Sequence, residues 1–117
     1  MVRLENDLIL TGIDGEAIPV YIEGEAPEEL PDEYFTVSED YTSTAVTADN
    51  KAKSYLYEYT LKFYSTDAER LYSVMLEAIE HLKSKNYDIS GVGYHSPTYK
   101  DWYARAVDVE KIENLEE

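Results

Sequence analysis

The sequence predicts an α+β domain in which a mostly antiparallel sheet packs one face against a single main helix. Two segments carry this prediction. Residues 54–65 alternate with a period of two and are rich in aromatic side chains, which is typical of a half-buried strand. Residues 67–85, approximately, instead place apolar side chains at helical spacing. With 117 residues, of which 44% are apolar, the chain is long enough for one domain, residues 1–117, with one core.

Short strands and turns are predicted for the first third of the chain, where glycine and proline are frequent. Residues 8–10 and 17–22 have the composition of two short strands around a turn at residues 12–15. Pro19 restricts the second of these strands to a sheet edge or to a strand end. The following residues, 23–32, are predicted to form an acidic loop.

A long hairpin is predicted next. Residues 33–41 alternate, with Phe35 and Val37 on one face, and are expected to pair with the aromatic strand 54–65. Residues 42–53, between the two strands, are polar and offer few side chains for burial. This segment is therefore expected to be a mobile hairpin loop.

The helix is predicted from its boundaries as well as from its apolar stripe. Thr66 and Glu69 match a capping box, in which each side chain accepts a hydrogen bond from the other residue's free amide. Asn86 follows the last turn and is expected to end the helix in a left-handed conformation. The side chains expected to be buried between helix and sheet are Leu61, Phe63, Leu71, Met75, Ala78 and Leu82.

The C-terminal third is predicted to close the sheet. Residues 87–94 have strand-like composition interrupted by two glycines, and residues 96–100 are predicted to form a turn around a proline. Residues 102–112 are predicted to be the last strand. Residues 113–117 are expected to form a frayed acidic tail.

Composition argues against several kinds of site. The chain has no cysteine, so disulfides, thiolate metal sites and thiol nucleophiles are excluded. It has no glycine-rich phosphate loop and no nucleophile elbow, and His81 and His95 are far apart in sequence. Among 25 acidic residues, neighbouring carboxylates are expected by chance, and no calcium-loop spacing is present. We therefore predict no catalytic residue, no cofactor, no metal site and no enzyme activity.

The charge is strongly acidic and unevenly distributed. The formal net charge is −15, and residues 1–50 contribute thirteen acidic side chains against one basic side chain, Arg3. Phosphate backbones and anionic membranes repel such a surface, so neither specific nucleic-acid binding nor membrane binding is expected. Three roles of this acidity are open. It keeps the protein soluble, it attracts a basic partner, or it forms a surface along which DNA passes without adhering. The candidate interaction residues in this segment are Glu23, Glu25, Glu28, Glu29, Asp32 and Glu33.

Tyrosine is unusually frequent, with twelve residues against two phenylalanines and one tryptophan. Tyr55, Tyr57 and Tyr59 lie on one face of the predicted strand 54–65. Such a stripe either builds the core beneath the helix, with hydroxyls at its rim, or forms an exposed aromatic surface for a partner. Stacking on single-stranded nucleic acid is disfavoured, because it needs a basic groove.

The order of segments is similar to that of a known family. The segments are YFTVSED, DNKAKS, YLYEYTLKFYS, TDAERL, NYDISGVGY and DWYARAVDVEKIE. The resemblance runs from residue 34 to residue 112, roughly two thirds of the chain. This order resembles the tail terminator, or tail completion, proteins of long-tailed bacteriophages and prophages, a family that includes head–tail joining, neck and minor capsid proteins. Members of the family usually begin with a longer amphipathic helix, whereas the N-terminal segment here, residues 1–10, is short and has a strand-like pattern.

The resemblance implies a non-enzymatic virion assembly protein that forms a ring, commonly a hexamer, which caps the tail tube and docks to the neck. Its implied partners are further copies of itself and tail-tube or neck proteins. Its implied location is the cytoplasm of the bacterial host and then the virion. The loop at residues 42–53 is expected to order on assembly, and its candidate contacts are Thr44, Asp49 and Asn50.

Charge alone supports a different function. A small acidic chain without catalytic residues also suits an acidic inhibitor, an immunity-type protein or a DNA mimic that binds a basic partner. Self-association distinguishes the two functions, because a ring protein forms oligomers whereas an inhibitor remains a monomer or dimer.

Overall fold

The computed structural model describes residues 4–10, 16–46 and 52–114. Their helices and strands, in chain order, are α1 (Leu4–Asp7), β1 (Val20–Ile22), β2 (Glu33–Val46), β3 (Ala52–Ser65), α2 (Arg70–Lys83), β4 (Tyr94–Tyr99) and β5 (Trp102–Asn114). The strands form one sheet in the order β1-β2-β3-β5-β4. Every neighbouring pair is antiparallel except β1 and β2, which are parallel. The α+β class with one main helix and a mostly antiparallel sheet is confirmed.

In the N-terminal third, the structure has one of the two predicted strands, because β1 lies within residues 17–22 and at an edge of the sheet. The first described residues form the single turn α1, whose Leu4 is fully buried, and residues 8–10 after it do not form a strand. The amide of Ile18 donates to the carbonyl of Leu10 at 2.8 Å, and the amide of Phe35 donates to the carbonyl of Pro19 at 2.9 Å. These bonds direct β1 along the edge of the sheet, parallel to β2. An edge position suits the proline before β1, which has no amide hydrogen to donate.

The hairpin of β2 and β3 is longer than predicted. Its pairing continues to Val46 opposite Ala52. Strand therefore occupies residues 42–46 and 52–53 of the predicted loop 42–53, and residues 47–51 lie outside the described residues. The prediction relied on the polarity of this segment. Its threonines and valine favour strands, and pairing with β3 outweighed the polarity.

The core lies between α2 and one face of the sheet. The helix buries Val74, Met75, Ala78, Ile79 and Leu82. Burial of Leu61, Phe63, Met75, Ala78 and Leu82 confirms the predicted register, whereas Leu71 is only partly buried at the edge of the core.

The tyrosine stripe of β3 belongs to this core. Tyr57 and Tyr59 are buried, and the partly buried Tyr55 packs against the core with its ring next to that of Tyr57. The hydroxyl of Tyr57 donates to Glu113 at 2.9 Å, so its polar end reaches the rim. Of the two interpretations of the stripe, the structure supports the core beneath the helix.

The start of α2 differs from the predicted capping box. The helix begins at Arg70, and the preceding Glu69 makes no side-chain capping bond. Instead, the hydroxyl of Ser65 accepts a hydrogen bond from the amide of Asp67, and the Asp67 carboxylate accepts one from the amide of Glu69, both at 3.0 Å. The side chains of Ser65 and Asp67 thus accept hydrogen bonds from amides at the start of the helix, in place of the predicted reciprocal hydrogen bonds between Thr66 and Glu69.

The end of α2 follows the prediction. Asn86 has a φ of 71°, in the left-handed region. Its amide donates to the carbonyl of Lys83 at 3.0 Å, and the amide of Tyr87 donates to that of Leu82 at 3.1 Å. These two bonds form a Schellman motif, which satisfies the last carbonyls of the helix.

The predicted strand at residues 87–94 is wrong. Asp88 forms an isolated bridge with Glu110, and Tyr94, the last residue of this segment, is already the first residue of β4 and pairs with Ala106. Gly91 and Gly93 have φ values of 76° and 88°, which are left-handed and do not continue a strand.

Strand β4 instead occupies most of the predicted turn at residues 96–100. It is an edge strand, so Pro97 removes no hydrogen bond from the sheet interior. A register shift between Ser96 and Tyr99 accommodates the proline. At the other end, β5 extends to Asn114, so the predicted tail, residues 113–117, begins as strand, and residues 115–117 lie outside the described part.

Neither α1 nor α2 has the length and apolar character that crossing a bilayer requires.

Candidate functional site

The sheet face opposite α2 carries exposed charged and aromatic side chains. Side chains alternate along a strand, so the residues between the core positions of β2, β3 and β5 point away from the helix. We call this surface the open face. In the described part of the chain both helices pack on the other side, because Leu4 and Leu8 of the N-terminal segment join the core cluster with Met75 of α2.

One row across the open face consists of acidic side chains. Glu58 of β3 lies directly opposite Glu110 of β5, and Glu110 is bridged on its other side by Asp88. Residues directly opposite in an antiparallel pair have Cβ atoms about 4.5–5.5 Å apart, and like charges there are destabilising. The register therefore places three carboxylates side by side across the sheet.

The adjacent row adds two more carboxylates. Asp108 lies opposite Thr60, and the exposed Asp40, at an irregularity of β2, accepts hydrogen bonds from the hydroxyls of Ser38 and Thr60. Within the described strands β2, β3 and β5, a single basic side chain, Lys62, lies on this face. We call Asp40, Glu58, Asp88, Asp108 and Glu110 the acidic rows.

The acidic rows do not form a metal centre. In the described ranges, no group of three or more histidine, aspartate or glutamate side chains is arranged to hold a metal ion.

The hydroxyl of Tyr94, on edge strand β4, donates to the carboxylate of Asp108 at 2.9 Å. Burial of Tyr94 and this hydrogen bond raise the pKa of the phenol.

Five aromatic rings gather at the other end of the open face. Tyr34 stacks on Tyr64, with ring centroids 4.7 Å apart and planes inclined by 9°. Trp102 meets Tyr34 edge-on at 6.2 Å and stacks on Tyr99 at 6.4 Å. Tyr21 of β1 approaches Tyr34 at 6.0 Å. We call these five residues the aromatic cluster.

The acidic loop at residues 23–32 lies against the aromatic cluster. The indole nitrogen of Trp102 donates to the carbonyl of Pro31 at 2.9 Å, which anchors the end of the loop. Gly24, with a φ of 90°, turns the chain at its start. The loop and the rings of Tyr34, Tyr64 and Tyr99 border a partly open pocket of about 410 Å³. Small-molecule pockets span roughly 300–1,000 Å³, so this pocket is near the small end of that range.

The pocket combines aromatic walls with two charged side chains. Its lining includes Pro27, Leu30, Tyr34, Tyr64 and Tyr99, together with Glu28 and Lys100. Burial, and then the neighbouring phenols of Tyr64, Tyr99 and Tyr21, raises the pKa of Tyr34 to about 12. Tyr34 is therefore a neutral wall residue at physiological pH.

The predicted acidic interaction residues separate into two groups. Those in the loop are all exposed, and they are Glu23, Glu25, Glu28, Glu29 and Asp32. Glu33 is instead 5% exposed and forms an ion pair with Arg70 at 2.8 Å. It shares the helix-facing side of β2 with Phe35, so alternation directs it into the protein. The prediction that Glu33 is an interaction residue on the surface is therefore wrong.

The remaining predicted contacts belong to the hairpin end. Thr44 lies in β2, paired with Tyr55, and Asp49 and Asn50 lie outside the described residues. Ordering of this segment on assembly stays a prediction.

Sequence reasoning missed the acidic rows and the aromatic cluster. The alternation of Glu58, Thr60 and Lys62 opposite the tyrosine stripe was visible and indicated a polar face. The pairing of Glu58 with Glu110 depends on strand order and register, which alternation does not contain.

No model of a protein family matches the chain, and no curated protein matches its sequence. We therefore infer a function from the chemistry of the described surfaces.

Proposed function

We propose that this protein is a non-enzymatic assembly protein whose open face docks onto a basic surface of another protein. The observation that carries the proposal is the row of Glu58, Glu110 and Asp88, three carboxylates side by side on an uncovered sheet face. A basic partner converts this repulsion into attraction and raises the rate of association. The exposed acids of residues 23–32 add to the same field, because their loop borders the open face.

Within this role, we propose a tail-terminator-type joining protein of a bacteriophage or prophage. The order of segments within residues 34–112 supports it. Such a protein would form a ring, commonly a hexamer, and present the open face to a tail-tube or neck protein. A ring of more than two copies requires a heterologous contact between two different surfaces of the chain.

An acidic inhibitor, immunity-type protein or DNA mimic is the second candidate function. The same acidic rows favour it, since a DNA mimic places carboxylates at the positions where its target protein binds the phosphates of DNA. The two candidates differ in whether the chain needs copies of itself to act.

Native mass spectrometry over a concentration series distinguishes the two candidates. A joining protein is expected to form one defined oligomer larger than a dimer. A chain that remains a monomer or dimer at all concentrations overturns the ring and leaves the inhibitor. The ionic strength is varied in the same series. Assembly that improves with salt indicates acidic side chains that repel each other along a channel.

Charge reversal tests the docking surface itself. Glu110→Lys removes a like-charge neighbour of Glu58, so the free energy of unfolding is expected to rise by about 0.2–1 kcal/mol. The same change is expected to weaken binding of an oligoarginine peptide, measured by calorimetry at low salt. Glu80→Lys, an exposed position on α2, is the matched control. Equal weakening by both changes would show that net charge, and not the open face, drives binding.

A further inference from the structure

We propose that the pocket between the acidic loop and the aromatic cluster binds an arginine side chain of the partner protein, and that Lys100 occupies this place in the free protein. The inference rests on the proposed docking of a basic protein on the open face. It adds the residue type that anchors the partner and the side chains that recognise it.

The walls of the pocket suit a flat cation. Tyr34 and Tyr64 are stacked on each other, and Tyr99 remains 45% exposed, so its ring is accessible from solvent. Aromatic faces attract cations, and a planar guanidinium stacks on them as well. The apolar side chains of Pro27 and Leu30 complete a wall along which the stem of an arginine packs.

The charges around the pocket select a cation over an anion. The carboxylate of Glu28 lines it, and the exposed Glu23, Glu25, Glu29 and Asp32 belong to the same loop. A carboxylate accepts two parallel hydrogen bonds from a guanidinium, a geometry that an ammonium does not offer. Glu28 is therefore the side chain that distinguishes arginine from lysine.

Lys100 shows that a cation already occupies this position. Its ammonium nitrogen lies 5.3 Å from the ring centroid of Tyr99, and the residue lines the pocket. Its φ of 52° is left-handed, a conformation that lysine rarely adopts. Because lysine is exposed and its ammonium is strongly hydrated, an arriving guanidinium displaces it readily.

The test uses a blocked alanine-rich peptide with a single arginine. The matched peptide carries citrulline, the neutral isostere, in place of arginine. Binding is measured by calorimetry at low salt and by the fluorescence of Trp102, the one tryptophan of the chain, which stacks on Tyr99. The arginine peptide is expected to change this fluorescence and to bind about tenfold more tightly than the citrulline peptide.

Two pairs of variants locate the binding. Glu28→Gln is expected to weaken binding of the arginine peptide about three- to tenfold, whereas Glu29→Gln, in the same loop but not lining the pocket, changes it less than about twofold. Lys100→Ala is expected to tighten binding about threefold, because it removes the competing cation. Lys83→Ala, exposed in the last turn of α2, is the control for net charge.

Three results would overturn the arginine anchor. They are equal binding of the two peptides, equal effects of the two glutamine substitutions, and no response of Trp102. If oligoarginine still binds to the open face in that case, docking stands without the anchor. Failure of the proposed function is separate, because it would appear as loss of oligoarginine binding or of the defined oligomer.

Discussion

Glu33 and Arg70 form a two-pronged ion pair, in which the Glu33 carboxylate oxygens lie 2.8 Å from Nε and 2.8 Å from Nη2 of the guanidinium. The hydroxyl of Ser65 donates to the same carboxylate at 2.9 Å. The hydrogen bonding that Arg70 donates to Glu33, above all, raises the pKa of Arg70. Since these residues are the first of β2, the last of β3 and the first of α2, the network connects the helix to the end of the sheet.

Replacement of Arg70 by methionine is expected to destabilise the protein by about 2–3 kcal/mol. It removes the cation that neutralises a buried carboxylate. Loss of one member of a buried pair costs about 3–5 kcal/mol, and the value here is lower because the Arg70 side chain is 29% exposed. Urea unfolding measures the change. The double variant Glu33→Gln/Arg70→Met is expected to recover most of the loss, and strict additivity would show that the two residues are not coupled.

Two truncations on α2 are expected to differ in cost. Met75 is fully buried, and Met75→Ala is expected to lower the free energy of unfolding by about 2–5 kcal/mol, because it leaves a cavity. Leu71 is only partly buried at the core edge, so Leu71→Ala is expected to cost less than half as much. Thermal and urea unfolding of both variants measure this difference. Equal costs would mean that Leu71 packs more deeply than the structure shows.

Two glycines before β4 are expected to respond differently to alanine. A Cβ at Gly93 would lie 2.5 Å from the carbonyl oxygen of Ala106, whereas a Cβ at Gly91 meets nothing within 4 Å. Both have positive φ, so Gly91→Ala is expected to cost only backbone strain, about 1–2 kcal/mol. Gly93→Ala adds displacement of β5 backbone and is expected to cost clearly more. The unfolding midpoints of the two variants measure this difference, and equal midpoints would contradict the close approach of Gly93 to Ala106.

Alkaline pH is expected to destabilise the fold through Tyr34. Its pKa of about 12 lies above the ordinary value of 10.0, because burial in the aromatic cluster favours the neutral phenol. This contribution to stability is fully present below pH 10 and is lost as the pH rises toward 12. Tyr34→Phe has no phenol to ionise there. Its free energy of unfolding should therefore fall less steeply than that of the unmodified protein, and parallel pH profiles would contradict the assignment.

Some features of the fold follow from local patterns in the sequence. The alternation along β3 identified which side chains face the helix, because Tyr57, Tyr59 and Leu61 recur with the period of a strand. The apolar stripe of α2 and the left-handed Asn86 were likewise predictable, since helical spacing and helix ends depend on neighbours within a few residues.

Only the tertiary structure determined which side chains are neighbours in space. Alternation placed Glu33 on the same face as Phe35, but only the approach of α2 brought Arg70 to its carboxylate. The polar face of β3 was visible in the sequence, whereas the row of Glu58, Glu110 and Asp88 required the register of three segments distant along the chain. Periodicity specifies the face on which a residue lies. Its neighbours on that face are set by strand order and register, which arise from the packing of the whole domain.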